Sequence, residues 1–177
     1  MAHKRRVVIT GMGALSALGA TTRDLWNGLL ENRSGVRQVQ RLVDSGITVT
    51  SGGEVDAVSP ENLERDHEIA NRAIDDALAE SKRDAAACGF IWSTGLDTFQ
   101  MGPNGFVHRS AGRCFSNLAS RFHSPRRMIA AACASGTQAV GEAFRLIQNE
   151  QVDACVAGGS SVMLTPFYLI GFAGLRR

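Results

Sequence analysis

Short apolar runs alternate along this sequence with stretches of helical periodicity, and this alternation limits the folds open to the chain. Between Asp66 and Ser81, apolar residues recur every three or four positions, which predicts a helix with one buried face. Further helices are predicted from Thr21 or Thr22 onward, over 115–122 and over 137–149. Buried strands are predicted over 5–10, 47–49, 88–92, 128–132 and 152–157. Strands that alternate with helices indicate an α/β fold with a largely parallel or mixed sheet.

The composition is typical of a single globular domain. The chain has 177 residues, of which 44% are hydrophobic and 20% are charged, so it can bury a substantial core and is not of the disordered type. The net charge of +2 gives no reason to expect nucleic acid or a membrane surface as a partner. No apolar run approaches the roughly 20 residues that span a bilayer. The four cysteines lack the C-x2-C spacing of zinc and redox sites. We therefore expect a reduced, cytoplasmic protein without a metal or a cofactor.

Two glycines, Gly11 and Gly13, follow the first predicted strand and invite comparison with dinucleotide-binding motifs. That fingerprint requires a third glycine or alanine three residues later, at the start of a helix. Ser16 occupies the position, and the next predicted helix begins only near Thr22. The two glycines are better explained by a sharp turn of the backbone.

Cys133 lies between an apolar strand and a buried helix, and it is followed by Ala134, Ser135 and Gly136. The start of a helix offers unpaired backbone N–H groups and a positive dipole end, which stabilise a thiolate. The same N–H groups can hold the oxyanion that forms when a thiolate attacks a thioester. The residue pattern alone still favours an inert core cysteine, because free cysteines are often simply buried.

A stretch without periodicity, over 95–116, is predicted to be a long loop, and long loops in compact domains are often functional. His108 lies within this stretch, and His123 follows the short helix predicted after it. The pattern disfavours a catalytic pair of His123 with Cys133, because a predicted strand separates them and catalytic partners are rarely so near in sequence.

Four segments, taken together and in order, resemble the β-ketoacyl-acyl carrier protein synthases. The segment over 131–136, Ala-Ala-Cys-Ala-Ser-Gly, resembles the nucleophile turn of that family. The other three segments are 4–13 at the start, 152–159 with its Gly-Gly ending, and 165–172 with Thr-Pro and Gly-Phe. An ordered set of four motifs is far more specific than any one of them, and it makes Cys133 the favoured nucleophile.

The resemblance implies a thiolase-like fold, in which two similar α/β halves stack in five layers (αβαβα) and which is normally a homodimer. It implies a decarboxylative Claisen condensation, in which Cys133 takes an acyl group from an acyl carrier protein and a malonyl-carrier thioester then loses carbon dioxide and attacks it. The backbone N–H of Cys133 would form half of the oxyanion hole. Phe172 matches the gating aromatic residue beside the acyl pocket of the family, and Leu96 lies where an apolar pocket residue is expected.

The chain also departs from the family. Family members are more than twice as long, so residues 1–177 are expected to be a truncated N-terminal part, with the catalytic histidines beyond this chain. The loop over 95–116 and the helix before it are shorter than in housekeeping fatty-acid members, and Ser160-Ser161 follows the glycines where an acidic residue usually stands two places on. Both departures favour a specialised relative, such as one in polyketide or polyene synthesis. Two alternatives stay open. One is a non-catalytic partner subunit that pairs with a related synthase, and the other is a thiolase-type enzyme that acts on coenzyme A thioesters.

Overall fold

The structure, a computed structural model, describes residues 5–102 and 105–175. The helices are α1 (Thr22–Leu30), α2 (Gln40–Asp44), α3 (Arg65–Ser81), α4 (Ala111–Ala119), α5 (Ser135–Gln148) and α6 (Pro166–Gly174). The strands are β1 (Val36–Gln38), β2 (Ser51–Gly53), β3 (Gly89–Thr94), β4 (Thr98–Gly102), β5 (Gly105–Arg109), β6 (Arg126–Met128) and β7 (Cys155–Ser160).

A three-stranded parallel sheet in the order β6-β3-β7 forms the centre of the molecule. Its middle strand, β3, is buried along its whole length. Phe90 and Trp92 face one side and pack with α3 and α4, whereas Ile91 faces the other side and packs with α5. This division follows from the period of two along a strand. The described residues therefore form an αβα sandwich, which confirms the predicted α/β class.

Helices with clear periodicity were predictable from the sequence. The helix predicted over 66–81 is α3, and the buried helix predicted over 137–149 is α5, which begins two residues earlier. The predicted cap of α1 is also confirmed. The Thr21 hydroxyl accepts a hydrogen bond from the Asp24 amide, and the Asp24 carboxylate accepts one from the Thr21 amide. This reciprocal pair is a capping box, which satisfies two otherwise unpaired donors.

The strand predicted over 5–10 is wrong. The segment pairs with no strand in the described chain. The residues that follow it lie against α3, where the Met12 amide donates to the Glu80 carboxylate at 2.7 Å. Val8 and Ile9 are 57% and 78% exposed. An apolar run predicts burial, but it does not say which partner covers the run.

The strand predicted over 47–49 is also displaced. Strand β2 begins at Ser51 and pairs antiparallel with β1, so that Val36 lies opposite Gly53. The region 95–116, predicted to be a loop, contains the antiparallel hairpin of β4 and β5 and most of α4. Strand β6 ends at Met128, so the small residues that follow it form a turn and not a strand.

We expect alanine at Gly13 to loosen the N-terminal segment. A Cβ at this position would clash with the backbone carbonyl of Ala73 in α3, and a clash with backbone costs about 1–3 kcal/mol. Gly141, on α5, has open space around its Cβ direction, so Gly141→Ala should stabilise the helix by about 1 kcal/mol. Chemical denaturation of both variants checks this, and equal effects of the two substitutions would contradict it.

Candidate active site

The carboxyl ends of the three parallel strands meet at one edge of the sheet, and this edge carries the candidate site. Ile129, which follows β6, donates its amide to the Trp92 carbonyl at 3.0 Å. Gly95, which follows β3, donates its amide to the Ser160 carbonyl at 2.8 Å. Ligands of open α/β sheets bind outside the carboxyl ends of the strands. The turn that carries Cys133 and the residue Leu96 both follow strands that end at this edge.

Cys133 lies in a single 3₁₀ turn, Ala132–Ala134, directly before α5. The preceding residue, Ala132, has a φ of 48°, and this left-handed conformation turns the chain sharply. The buried side chain of Ser135 holds the turn in place, because its Oγ accepts from the Ala131 amide and donates to the Ala132 carbonyl, both at 2.7 Å.

The backbone N–H of Cys133 is available to a ligand. Across the described residues, 5–102 and 105–175, it donates to no acceptor of the chain. The Cys133 side chain is exposed, directly before the first turn of α5. A thiol beside a free N–H and the positive end of a helix dipole can attack a carbonyl and hold the resulting oxyanion.

The other three cysteines have a different environment. Cys88 and Cys114 are buried, and burial raises the pKa of both thiols, with Asp66 adding to the effect at Cys114. Burial raises the pKa of Cys155 to about 12. All four cysteines lie within the described residues, and Cys133 alone is exposed.

Iodoacetamide is therefore expected to label Cys133 first. A pKa of about 12 against the usual 9.0 lowers the thiolate population of Cys155 about a thousandfold, at tenfold per pKa unit. Peptide mapping at mildly alkaline pH under native conditions checks the order. Equal labelling of Cys133 and Cys155 in a folded sample would contradict it.

Leu96 and Phe172 are both exposed, at 61% and 52%. Leu96 lies in the turn between β3 and β4, and Phe172 lies on α6. No hydrogen bond, aromatic contact or common groove in the described residues joins either side chain to Cys133. Their role beside an acyl pocket stays a prediction.

A groove that the sequence did not reveal lies next to this edge. It has a volume of about 760 Å³ and runs between the 53–69 region and the residues that follow β7. Its apolar lining includes Ile69, Phe99, Leu164, Phe167 and Ile170. Grooves of this size and lining accommodate small apolar ligands. The lining comes from three distant parts of the sequence, so no local pattern could predict it.

The histidines do not pair with Cys133 in the described residues. His108 Nε2 lies 2.8 Å from the Asp97 carboxylate, on the hairpin. The part of the chain that the structure describes also holds no cluster of three or more His, Cys, Asp or Glu side chains suited to a metal. Its helices include none that is both long and apolar enough to cross a bilayer.

Comparison with known proteins identifies relatives over the whole chain. The protein is 30% identical to 3-oxoacyl-[acyl-carrier-protein] synthase 2 of Synechocystis sp. over 98% of this chain and 50% of the relative. It is 25% identical to the protein of the same name from Staphylococcus aureus strain COL, over 99% of this chain and 50% of that protein. The chain thus spans about half the length of the curated relatives it matches.

Solved structures share the fold. A type II PKS ketosynthase in complex with its acyl-carrier protein superimposes with a TM-score of 0.80 at 20% identity, over 98% of this chain and 49% of that one. The ishigamide ketosynthase/chain length factor superimposes with a TM-score of 0.77 at 23% identity, over 97% of this chain and 51% of that one. The α/β sandwich thus corresponds to about half of the thiolase-like fold of the ketosynthases.

The family match leaves one gap, near the hairpin. The model of the β-ketoacyl synthase N-terminal domain matches residues 4–88 and 102–176. The alignment with the Synechocystis protein spans 206 positions, more than the 177 residues of this chain, so the relative has residues that this chain lacks. Both matches include Cys133 and its turn. The chain belongs to the β-ketoacyl synthase family, and the part of the family that it matches is the N-terminal domain.

Proposed function

We propose that the protein is a β-ketoacyl-acyl carrier protein synthase, with Cys133 as its nucleophile. One observation carries the proposal: within the family match, Cys133 is exposed at the start of α5 and has a backbone N–H that is free to bind a ligand. Acyl transfer through a thiol requires this combination of nucleophile and oxyanion donor.

The first half-reaction uses groups of this chain. The Cys133 thiolate attacks the carbonyl carbon of an acyl thioester, and a carbon–sulfur bond forms. The Cys133 N–H and the N-terminus of α5 stabilise the oxyanion of the tetrahedral intermediate. The intermediate then collapses: the bond to the carrier sulfur breaks, and the departing carrier thiolate takes up a proton. The acyl group remains on Cys133.

The second half-reaction extends the acyl group. A malonyl thioester loses carbon dioxide, and the electron pair of the broken bond forms a new carbon–carbon bond to the acyl carbonyl. The Cys133 thiolate leaves and is regenerated. We assign the histidines that assist this step to a second half like that of the relatives, because His108 pairs with Asp97 and no hydrogen bond of the described residues joins His123 to Cys133.

The partners follow from the same proposal. An acyl carrier protein delivers the acyl group, as supported by the similar ketosynthase solved in complex with one. We propose a dimer, either of two copies or with a related subunit, and a cytoplasmic location in keeping with four free cysteines. Leu96 and Phe172 are proposed to line the acyl pocket.

The choice of acyl donor tests the proposal. The purified protein is offered an acyl group on a carrier protein and, separately, the same group on coenzyme A, and the acyl-enzyme is followed by intact-mass spectrometry. We expect faster transfer from the carrier protein. Equal or faster transfer from coenzyme A would favour a thiolase-type enzyme.

A non-catalytic partner subunit has one observation in its favour, since a similar solved structure includes a chain length factor. Under this alternative, a folded protein takes up no acyl group from either donor and instead copurifies with an intact synthase. The exposed Cys133 speaks for the catalytic assignment.

A further inference from the structure

Asp97 joins three elements of the structure at the carboxyl end of β3. Its Oδ2 lies 2.8 Å from Nε2 of His108 on β5, and its Oδ1 accepts from the Ala111 amide at the start of α4 at 2.9 Å. Its backbone carbonyl accepts a hydrogen bond from the hydroxyl of Tyr168 on α6. The bond from the Ala111 amide, followed by that from His108, lowers the pKa of the Asp97 carboxyl.

The hydrogen bond from the Tyr168 hydroxyl to the Asp97 carbonyl lies where it fixes the position of α6. Tyr168 is the buried residue of this helix, whereas Phe167, Ile170 and Phe172 are each more than half exposed. No described residue of α6 belongs to either of the two buried core clusters. The helix therefore depends on Tyr168 and its surroundings for its position.

Aromatic contacts connect the same parts of the molecule, the region of Asp97 and the hairpin on one side and α6 on the other. We call this set of contacts, made by Asp97, Phe99, Phe167 and Tyr168, the Asp97 junction. The ring of Phe99, on β4, lies 4.7 Å from Phe167 and 5.0 Å from His108, measured between centroids. Phe167 also meets Tyr168 edge to face at 5.4 Å. The hairpin and α6 are thus held together at two points, by the Asp97–Tyr168 hydrogen bond and by the Phe99–Phe167 contact.

The junction borders the groove, and part of it lies in the stretch that the family model leaves unmatched. Phe99, Phe167 and Ile170 line the groove, so a movement of α6 relative to the hairpin changes the shape of the groove. The family model leaves 89–101 unmatched, and this range includes Asp97 and Phe99. Asp97 and Phe99 thus lie outside the family match, whereas Phe167 and Tyr168 lie inside it.

We propose that Asp97 is a positioning residue that fixes α6 through Tyr168 and thereby determines which acyl groups reach Cys133. This inference rests on the proposed acyl transfer to Cys133. The Asp97 side chain sets the turn by its bonds to His108 and Ala111, and the turn presents the carbonyl that holds Tyr168. Cys133, Leu96 and Phe172 are not among the residues that line the groove, so the proposal includes that an acyl group on Cys133 extends along α6 into the groove. With the junction intact, α6 keeps the groove at one width and limits the length of that group.

The main test compares two donors on the purified protein, acetyl-pantetheine and octanoyl-pantetheine, by intact-mass spectrometry. Tyr168→Phe removes the hydroxyl and keeps the ring, and Asp97→Ala removes both side-chain bonds. In each variant we expect the ratio of octanoyl to acetyl transfer rates to rise about tenfold, the scale of discrimination set by small changes of an apolar pocket. The rate of iodoacetamide labelling of Cys133 should stay unchanged, because this small reagent does not sense the groove.

Two further variants separate positioning from a general structural role. Asp97→Asn keeps an acceptor for the Ala111 amide and should restore most of the wild-type ratio. The double variant Asp97→Ala/Tyr168→Phe should change the ratio no more than either single substitution, because both act through one junction. An unchanged ratio in folded Tyr168→Phe, or an equal loss for both donors and for iodoacetamide, would overturn the proposal.

A spectroscopic measurement tests the junction without acyl transfer. Tyr168 is the single tyrosine of the sequence, so a sample with ¹³C at the tyrosine ζ position gives one NMR signal that reports on its hydroxyl. We expect this signal to shift in Asp97→Ala and to stay in place in Asp153→Ala, which removes an exposed carboxylate paired with Arg5. If the wild type takes no acyl group on Cys133, the proposed function fails while this signal still tests the junction. If acylation succeeds and the signal is unmoved in Asp97→Ala, the junction itself is refuted.

Discussion

Replacing Cys133 by alanine is expected to abolish formation of the acyl-enzyme. The substitution removes the sulfur that forms the bond to the acyl carbon, and loss of a catalytic nucleophile lowers rates by roughly 10³-fold or more. Cys133 is exposed and outside both core clusters, so the alanine variant should keep the fold. Intact-mass spectrometry after incubation with an acyl carrier protein measures the loss.

Cys155→Ala is the matched control for this experiment. It removes the thiol of Cys155 on β7, whose pKa is raised by burial to about 12. We expect this variant to form the acyl-enzyme at close to the wild-type rate. An adduct that persists in Cys133→Ala, or that disappears from both variants while they remain folded, would refute the assignment of the nucleophile.

Phe90→Ala is expected to cause the largest loss of stability of any single substitution considered for this chain. Phe90 is fully buried on β3, the middle strand of the sheet, and its ring stacks on Phe122 at 4.4 Å and on Trp92 and Phe115 at 5.7 Å. Truncation of such a side chain costs about 3–5 kcal/mol, because transfer energy and packing are both lost. For a chain of this size, the melting temperature should fall by about 10 °C.

Phe144→Ala provides the comparison at a site on α5. This ring is 44% exposed, so its removal should change the free energy of unfolding by less than about 1 kcal/mol. Calorimetry or circular dichroism of the two variants measures the difference. Similar losses for Phe90→Ala and Phe144→Ala would contradict the placement of the core around β3.

Much of the fold was predictable because local patterns and tertiary structure agree. The apolar stripe of α3 faces the sheet, and its residues Ile74 and Leu78 are buried there. The same holds for Ala139, Ala143 and Leu146 of α5 on the opposite face. In these elements the periodicity of the sequence records which side is covered.

The errors arose where the partner of a segment decides its structure. The run Val7-Val8-Ile9 has the composition of a strand, yet it pairs with no strand of the described chain. The backbone at Gly11 and Gly13, just after the run, packs closely against α3 instead. The β4–β5 hairpin was missed because its strands carry no clear alternation. Its register, with Phe99 opposite His108, is visible only in the paired structure.

The candidate site was likewise predictable from the sequence only in part. The place of Cys133 between a strand and a helix made it a candidate, but only the ordered set of motifs made it the favoured nucleophile. The structure puts Cys133, exposed, directly before α5. Leu96 and Phe172 came from the resemblance alone, and their role stays a prediction. The groove and the Asp97 junction depend on side chains that are distant in sequence, such as Asp97 and Tyr168, so no motif could reveal them.

The most direct test of the central claim is to locate the acyl group on the unmodified protein. The protein is incubated with an acyl carrier protein, digested, and its peptides are sequenced by tandem mass spectrometry. We expect one acyl group, on the peptide that contains Cys133, with Cys88, Cys114 and Cys155 unmodified. An acyl group on another cysteine, or a folded protein that stays at its unmodified mass while the donor remains intact, would contradict it.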